Sequence, residues 1–329
     1  MPVSPAGPVG TLADVGEFGL IDSLVADLPT APEVLIGPGD DAAALNLASP
    51  VLSSVDVLVE GVHFRRDWSE PGDIGRRAVA VNVADIEAMG GRAVGLLVGF
   101  SAPGELAATW ALQFAAGLKA EAATAGVALA GGDVTRARDI TISVAVLGVL
   151  DGLEPVRRSG ARPGDVVAMA GRVGWAAAGL TVLGRGFRSP RVVVEAYRVP
   201  QVPYGAGAAA ARAGAHAMID VSDGLLADLG HVASASGVVI EIGRAAFEVP
   251  EPLQAVAAAT GTDPFQLILT GGDDHALAAT FASADVVPDG WLVIGSVRAR
   301  GEEEAPSVLV DGAPWEPAAG YDHFRARRS

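Results

Sequence analysis

Two α+β domains are what this sequence predicts, on three observations. Short apolar strands alternate with amphipathic or alanine-rich helices along the chain. Gly-Asp loops recur beside those strands in both halves. A stretch rich in turn formers and charge, "DGLEPVRRSGARPGD" (151–165), breaks the pattern near the middle. With 329 residues there is chain enough for two cores of ordinary size. The boundary is placed near Gly152, giving an N-terminal domain over 1–151 and a C-terminal domain over 152–329.

The elements follow in order. The first dozen residues are expected to be loose. "EFGLIDSLVADL" has helical periodicity, and "VLIG" and "VLSSVDVLVEGVHF" read as strands on either side of a Gly-Pro-Gly loop. "DIGRRAVAVNVADIEAMGG" is a helix stopped by Gly90 and Gly91. Strand "AVGLLVGF", helix "ELAATWALQFAAGLKAEAATAG" and strands "VALAGGD" and "ITISVAVLGVL" complete the first domain. In the second, "DVVAMAG", "AMIDVSDG", "VVIEI", "FQLILTGGDD" and "WLVIGSV" read as strands. "GWAAAGLTVL", "GAGAAAARAGA" and "GLLADLGHVASASG" read as helices. The shared style hints at two related halves.

Composition narrows the function classes. Half the residues are apolar and 19% are charged, as in a compact globular protein. The formal net charge is -16 and Lys119 is the only lysine, which speaks against a nucleic-acid partner. The absence of cysteine removes disulfides, thiolate metal sites and cysteine nucleophiles. The N-terminus lacks a basic region followed by an apolar one, and no apolar run is long enough to span a membrane. The expected compartment is the cytoplasm, with no membrane partner.

Chemistry concentrates in acidic loops. In "VLIGPGDDAAAL" the adjacent Asp40 and Asp41 sit between two apolar runs, on a loop supplied by Gly37, Pro38 and Gly39. Further acidic motifs are "SSVDVLVEGVHF", "NVADIEAMGG", "AGGDVT", "IDVSDGL" and "LTGGDDHAL". One Gly-Asp loop is ordinary turn chemistry; six, each at a strand end or on a helix beside one, point to a hard-cation site. Many aspartates without a histidine or cysteine cluster favour magnesium over zinc. The P-loop lysine signature and the protein-kinase set are missing, and no run fits the twelve-residue calcium loop. "GAGAAA" at Gly205 imitates a dinucleotide fingerprint, but no strand precedes it, so it reads as the start of a helix.

The ordered set "GDDAA", "VDVLVEGVHF", "AVNVADIEAMGG", "GGDVTR", "RSGARPGD", "IDVSDGLLADL", "GGDDHAL" and the terminal "GYDHF" resembles the thiamine-monophosphate kinase family over nearly the whole chain. That family is grouped with aminoimidazole-ribonucleotide synthetase and selenophosphate synthetase. The resemblance implies an ATP site in a cleft between two α+β domains, with the N-terminal domain holding ATP and metal and pairing into a homodimer. It also implies transfer of the γ-phosphoryl of ATP to thiamine monophosphate, assisted by several magnesium ions.

Residue by residue, the resemblance implies metal ligands at Asp41, Ser54, Val55, Asp56, Asp85, Asp133, Asp220 and Asp223. It implies ATP contacts at Gly132, Asp133, Arg158 and Ser222, and substrate contacts at His63, Asp273 and Tyr321. Asp56, Asp133 and Asp220 are the residues it puts at the reaction. Val55 stands where the family usually has threonine, leaving only a backbone carbonyl to ligate, and Asp273 replaces the usual glutamate. Taken singly, each residue has a plainer reading: His63 as a half-buried strand histidine, Asp85 and Arg158 as solvated charges, Asp223 as a helix cap, Tyr321 as packing. A sister synthetase and a non-catalytic nucleotide or metal sensor stay open as alternatives. The absence of cysteine sets aside the selenophosphate and hydrogenase-maturation chemistries.

Overall fold

The computed structural model describes residues 10–29, 31–38, 43–47 and 50–316. The chain divides into two compact units, Met1–Ile86 with Arg92–Asp151, and Glu87–Gly91 with Gly152–Ser329. Mixed helices and sheets build both.

The first unit runs through α1 (Leu12–Val25), β1 (Val34–Ile36), β2 (Ala44–Leu45), β3 (Val51–Val59), α2 (Pro71–Ala88), β4 (Arg92–Ala102), α3 (Ala108–Ala125), β5 (Ala128–Arg136) and β6 (Thr141–Val149). Thr11 and Asp14 form a capping box that starts α1, and Gly126 in the left-handed region ends α3. The sheet has the order β3-β6-β4-β5, with β6 antiparallel to both neighbours and β5 parallel to β4. Register fixes what each side presents. Asp56, Val144 and Val98 stand in one row, and Val55, Ala145 and Leu97 in the next. Alternate rows point to opposite faces. Ile142, Val144, Val146 and Leu96 are buried, whereas Val51, Val55, Val57 and Leu97 are exposed on the other face.

"VLSSVDVLVEGVHF" is therefore a strand only as far as Val59. Gly61 takes φ 82°, the chain turns, and Glu60 bridges to Phe64. The plainer reading of His63 as a strand residue is corrected by this turn.

The second unit runs through β7 (Val166–Ala170), α4 (Trp175–Gly184), α5 (Arg191–Arg198), α6 (Ala206–Arg212), β8 (Ala217–Val221), α7 (Leu225–Ser236), β9 (Val238–Ile242), α8 (Glu251–Thr260), α9 (Pro264–Thr270), β10 (Ala276–Phe281), β11 (Trp291–Ala299) and β12 (Ser307–Val310). Its six strands have the order β12-β9-β11-β7-β10-β8, all antiparallel except β12 with β9. Ala168, Met218, Ala279 and Phe281 pack together at its core. The two sheets differ in strand number and order.

"FQLILTGGDD" is not a strand. Asp263 accepts the Phe265 N–H at 2.9 Å and Pro264 follows it, so the segment begins as a capped helix. The adjacent apolar residues Leu267, Ile268 and Leu269 gave no period to separate helix from strand. The strand lies one loop later, at β10. The start of "GAGAAAARAGA" is helical, as α6.

Candidate active site

In the first unit, α2 organises the inner face of β3. Ser54 and Asp56 are two residues apart on the strand and share that face. Ser54 Oγ donates to Asp85 Oδ2 at 2.5 Å, and the Asp56 N–H donates to Asn82 Oδ1 at 3.1 Å. Asn82 is buried and anchors its own amide on the Ala78 carbonyl. Asn82 and Asp85 are three apart on α2, so one helix face grips the strand at two successive inward positions. Val55 points the other way and is 59% exposed. At the end of β3, His63 Nδ1 accepts the Val59 N–H at 3.0 Å. An accepting Nδ1 puts the ring hydrogen of the neutral imidazole on Nε2, making that atom a donor.

Gly132 and Asp133 lie on β5, at the far edge of the same sheet. Asp133 pairs with Gly99 and shares the row of Ser143 and Val57, on the face opposite Asp56. Three strand spacings, ~14 Å, separate β5 from β3. The sheet thus does not bring Asp133 beside Asp56. Asp133 instead lines an apolar pocket of about 890 Å³ with Leu97, Phe114, Leu118, Lys119 and Leu147.

In the second unit, two motifs interlock. "IDVSDGL" leaves β8 and enters α7, while "LTGGDDHAL" leaves α9 and enters β10. The pairing of β8 with β10 continues past the strand ends: His275 N donates to the Val221 carbonyl at 2.9 Å and Asp273 N to that of Ser222 at 2.7 Å. The approach is close enough to require glycine. A Cβ at Gly272 would meet the Ser222 oxygen at 2.3 Å, and one at Gly224 would meet that of Thr270 at 2.7 Å. Asp273 (φ 70°) and His275 (φ 52°) both adopt left-handed backbone, a strained state for residues with a Cβ.

This loop sets three side chains. Asp273 is half-buried beside Ser222. Asp274 is buried and accepts N–H groups of Gly174 at 2.6 Å and Ala176 at 2.9 Å, capping α4. His275 Nδ1 lies 3.1 Å from Asp220 Oδ2, both side chains being 8% exposed. Burial pushes Asp274 up to about 7 against the pull of those two N–H groups. Burial likewise pushes Asp228 up to about 7, with the charge of Asp220 as the next cause and that of Asp223 adding. Asp228, rather than Asp223, caps α7, accepting the N–H groups of Asp223 and Gly224. Arg158 is exposed; its carbonyl accepts from Ser236 Oγ, and the neighbouring Arg157 carbonyl accepts the Met218 N–H, tying this segment to the start of β8.

Comparison with known proteins follows this geometry. Residues 39–150 match the AIR synthase related protein N-terminal domain and residues 162–305 its C-terminal domain. The thiamine-monophosphate kinase of Mycobacterium tuberculosis is 47% identical over 317 residues, covering 95% of this chain and 93% of that protein. The chain belongs to the thiamine-monophosphate kinase family. The family member of Corynebacterium glutamicum is 37% identical, covering 91% of each chain. Among solved structures, AaThiL complexed with AMPPCP and TMP matches with a TM-score of 0.76 at 31% identity, covering 94% of this chain and 98% of that one. The thiamine-monophosphate kinase of Stenotrophomonas maltophilia matches with a TM-score of 0.76 at 31% identity, covering 89% of this chain and 95% of that one.

Of the residues expected from the family pattern, Asp41 and Tyr321 lie outside the described residues. Ser54, Asp56 and Asp85 come together in the first unit, and Asp220, Ser222, Asp223 and Asp273 in the second. Among the described residues no three acidic or histidine side chains converge closely enough to cage an ion. The donor chemistry nevertheless fits magnesium: each expected ligand in both corners offers a hard oxygen, and magnesium takes one or two carboxylates plus phosphate oxygens rather than a full protein cage. Three residues that organise these corners had not been singled out in the sequence. Asn82 was discoverable, standing one turn before Asp85. Asp228 had only its place in a first helical turn. His275 stands inside "GGDDHAL", but nothing local ties it to Asp220, 55 positions away.

Proposed function

We propose that the protein transfers the γ-phosphoryl of ATP directly to the phosphate of thiamine monophosphate, giving thiamine diphosphate and ADP. The likeness to the mycobacterial enzyme along nearly all of the chain carries this reading. An acceptor-phosphate oxygen forms its bond to the γ-phosphorus as the bond to the bridging oxygen breaks, and ADP leaves with that electron pair. The acceptor's second pKa, near 6, leaves it mostly dianionic at neutral pH, so no general base is required. Repulsion between two polyanions is the obstacle. Magnesium held by the aspartate carboxylates would supply the positive charge that offsets this repulsion.

The ligands of the reading are Ser54, Asp56 and Asp85 in the first unit and Asp220 and Asp223 in the second, with Asp41 and the Val55 carbonyl as further contributors; Asp133, on the opposite face of the sheet from Asp56, would hold a separate ion. His63, donating from Nε2, suits a phosphate oxygen of the substrate. Asp273 contacts substrate with a carboxylate one methylene shorter than the family norm, and Tyr321 joins it. Arg158 and Ser222, with Gly132, meet the ATP phosphates. A second copy of the chain is assigned to the exposed row of Val51, Val55, Val57 and Leu97, and the cytoplasm, where ATP is supplied, to the reaction.

Steady-state assay of ADP release tests the reading. Turnover that depends on thiamine monophosphate, with intersecting double-reciprocal lines and no ATP–ADP label exchange without acceptor, is expected. Tight ATP binding without turnover would favour the sensor. Arg158→Ala should raise KM for ATP more than KM for thiamine monophosphate. Val55→Glu should convert a dimer to a monomer in light scattering.

A further inference from the structure

We propose that His275 is a positioning residue which fixes the carboxylate of Asp220 in the orientation that receives the cation. The inference rests on the reading of Asp220 as a metal ligand. An ionised carboxylate has no hydrogen to give, so the 3.1 Å contact places the hydrogen on His275 Nδ1, donating to Asp220 Oδ2. One oxygen is thereby held, the carboxylate plane is set, and Oδ1 is the atom presented for ligation. Both side chains are buried, so water does not offer an equivalent donor.

The backbone supports this assignment. His275 is held at φ 52°, where a residue with a Cβ is disfavoured, and its N–H is fixed on the Val221 carbonyl at 2.9 Å. Asp220 pairs in register with Leu277, two residues further along the same ladder. The backbone of the histidine is thus fastened to the strand that carries the aspartate, which sets the ring down beside the carboxylate. Donors that orient ligating carboxylates in this way typically govern metal affinity by 10–100-fold.

The test is Mn²⁺ titration of the full chain, with the free ion followed by electron paramagnetic resonance, alongside the Mg²⁺ concentration giving half-maximal turnover. His275→Ala should weaken Mn²⁺ binding by about 10–100-fold and raise the Mg²⁺ requirement in parallel, while KM for thiamine monophosphate stays unchanged. His275→Asn keeps an N–H donor at the position of Nδ1 and tolerates left-handed backbone, so it should restore affinity close to wild type. A merely structural histidine would lower the melting temperature of the metal-free chain in both variants and leave the metal titration unmoved; that result overturns the proposal. Should the alanine variant not fold, His275→Gln, whose donor is displaced by one bond, is set against His275→Asn, and equal Mn²⁺ affinity of the two rejects the idea. Asp220→Asn in the same titration tests the underlying reading separately: unchanged Mn²⁺ affinity there removes Asp220 from the metal site whatever the histidine does.

Discussion

The two units handle their carboxylates in opposite ways. In the first, Asp56 and Asp85 are half-buried at the seam of a strand and a helix, and neutral groups, Ser54 and Asn82, hold them or their backbone. In the second, carboxylates are buried and turned inward to close helix starts. Glu87 accepts N–H groups of Gly205 at 2.8 Å and Gly207 at 2.9 Å at the start of α6, Asp228 does the same for α7, and Asp274 for α4. None of the three helices has a side-chain cap at its own N-cap residue, which is glycine each time. Burial raises all three carboxyls above their ordinary range. The same residue type is therefore set at a strand–helix seam in one unit and, at these three positions, placed at helix starts in the other.

Charge removal at the two corners should separate them most sharply. On the proposed reading of both as metal ligands, Asp56→Asn and Asp220→Asn are each expected to lower kcat by ~100-fold or more, since direct ligands count for at least as much as the groups that orient them. Their effects on the metal-free fold should differ. Asp220→Asn relieves repulsion with Asp228 in a buried setting and should raise the melting temperature; half-exposed Asp56 should give little change. Equal shifts in calorimetry would break the comparison.

Steric disturbance of an internal cap comes next. A Cβ at Gly207 would lie 1.9 Å from the Glu87 carbonyl oxygen. Gly207→Ala is expected to cost about 1–3 kcal/mol in chemical denaturation, the usual scale of overpacking. A smaller loss would mean that α6 slides away from Glu87 without consequence.

The remaining expected effect is a pH dependence. Asp274 is raised from 3.8 to about 7 in the folded state, so the folded chain binds more protons than the unfolded one between those values. Its contribution to stability is complete below the unfolded value and is lost as pH rises through about 7. Asp274→Asn should flatten that decline, narrowing the difference in urea midpoint between pH 5 and pH 8. An unaltered slope in the variant would show that the carboxyl titrates normally.

How much of this was legible in the sequence follows from the range of each interaction. Strand alternation put Ser54 and Asp56 on one face, and helical spacing put Asn82 and Asp85 on another; both are local periods and survive in the text. The helix at Pro264–Thr270 was misread because a short apolar run carries no period, though Asp263 and Pro264 were its start signal. The opposite facing of Asp133 and Asp56 depends on strand order and register, which no single stretch encodes. The pairing of His275 with Asp220 and of Glu87 with Gly205 joins residues 55 and 118 positions apart, and such contacts become visible only when the chain is folded.

The dinucleotide-like "GAGAAA" gains a different meaning from the carboxylate that faces it. A helix start with free N–H groups is a standing invitation to phosphate. An enzyme whose substrates and products all carry phosphate works amid its own potential competitors, and every unsealed helix start would be a place for them to lodge unproductively. With Glu87, Asp228 and Asp274 lodged in those places, three helix starts of the second unit have N–H groups already taken by the chain's own carboxylates. Selectivity there lies in occupancy rather than in recognition.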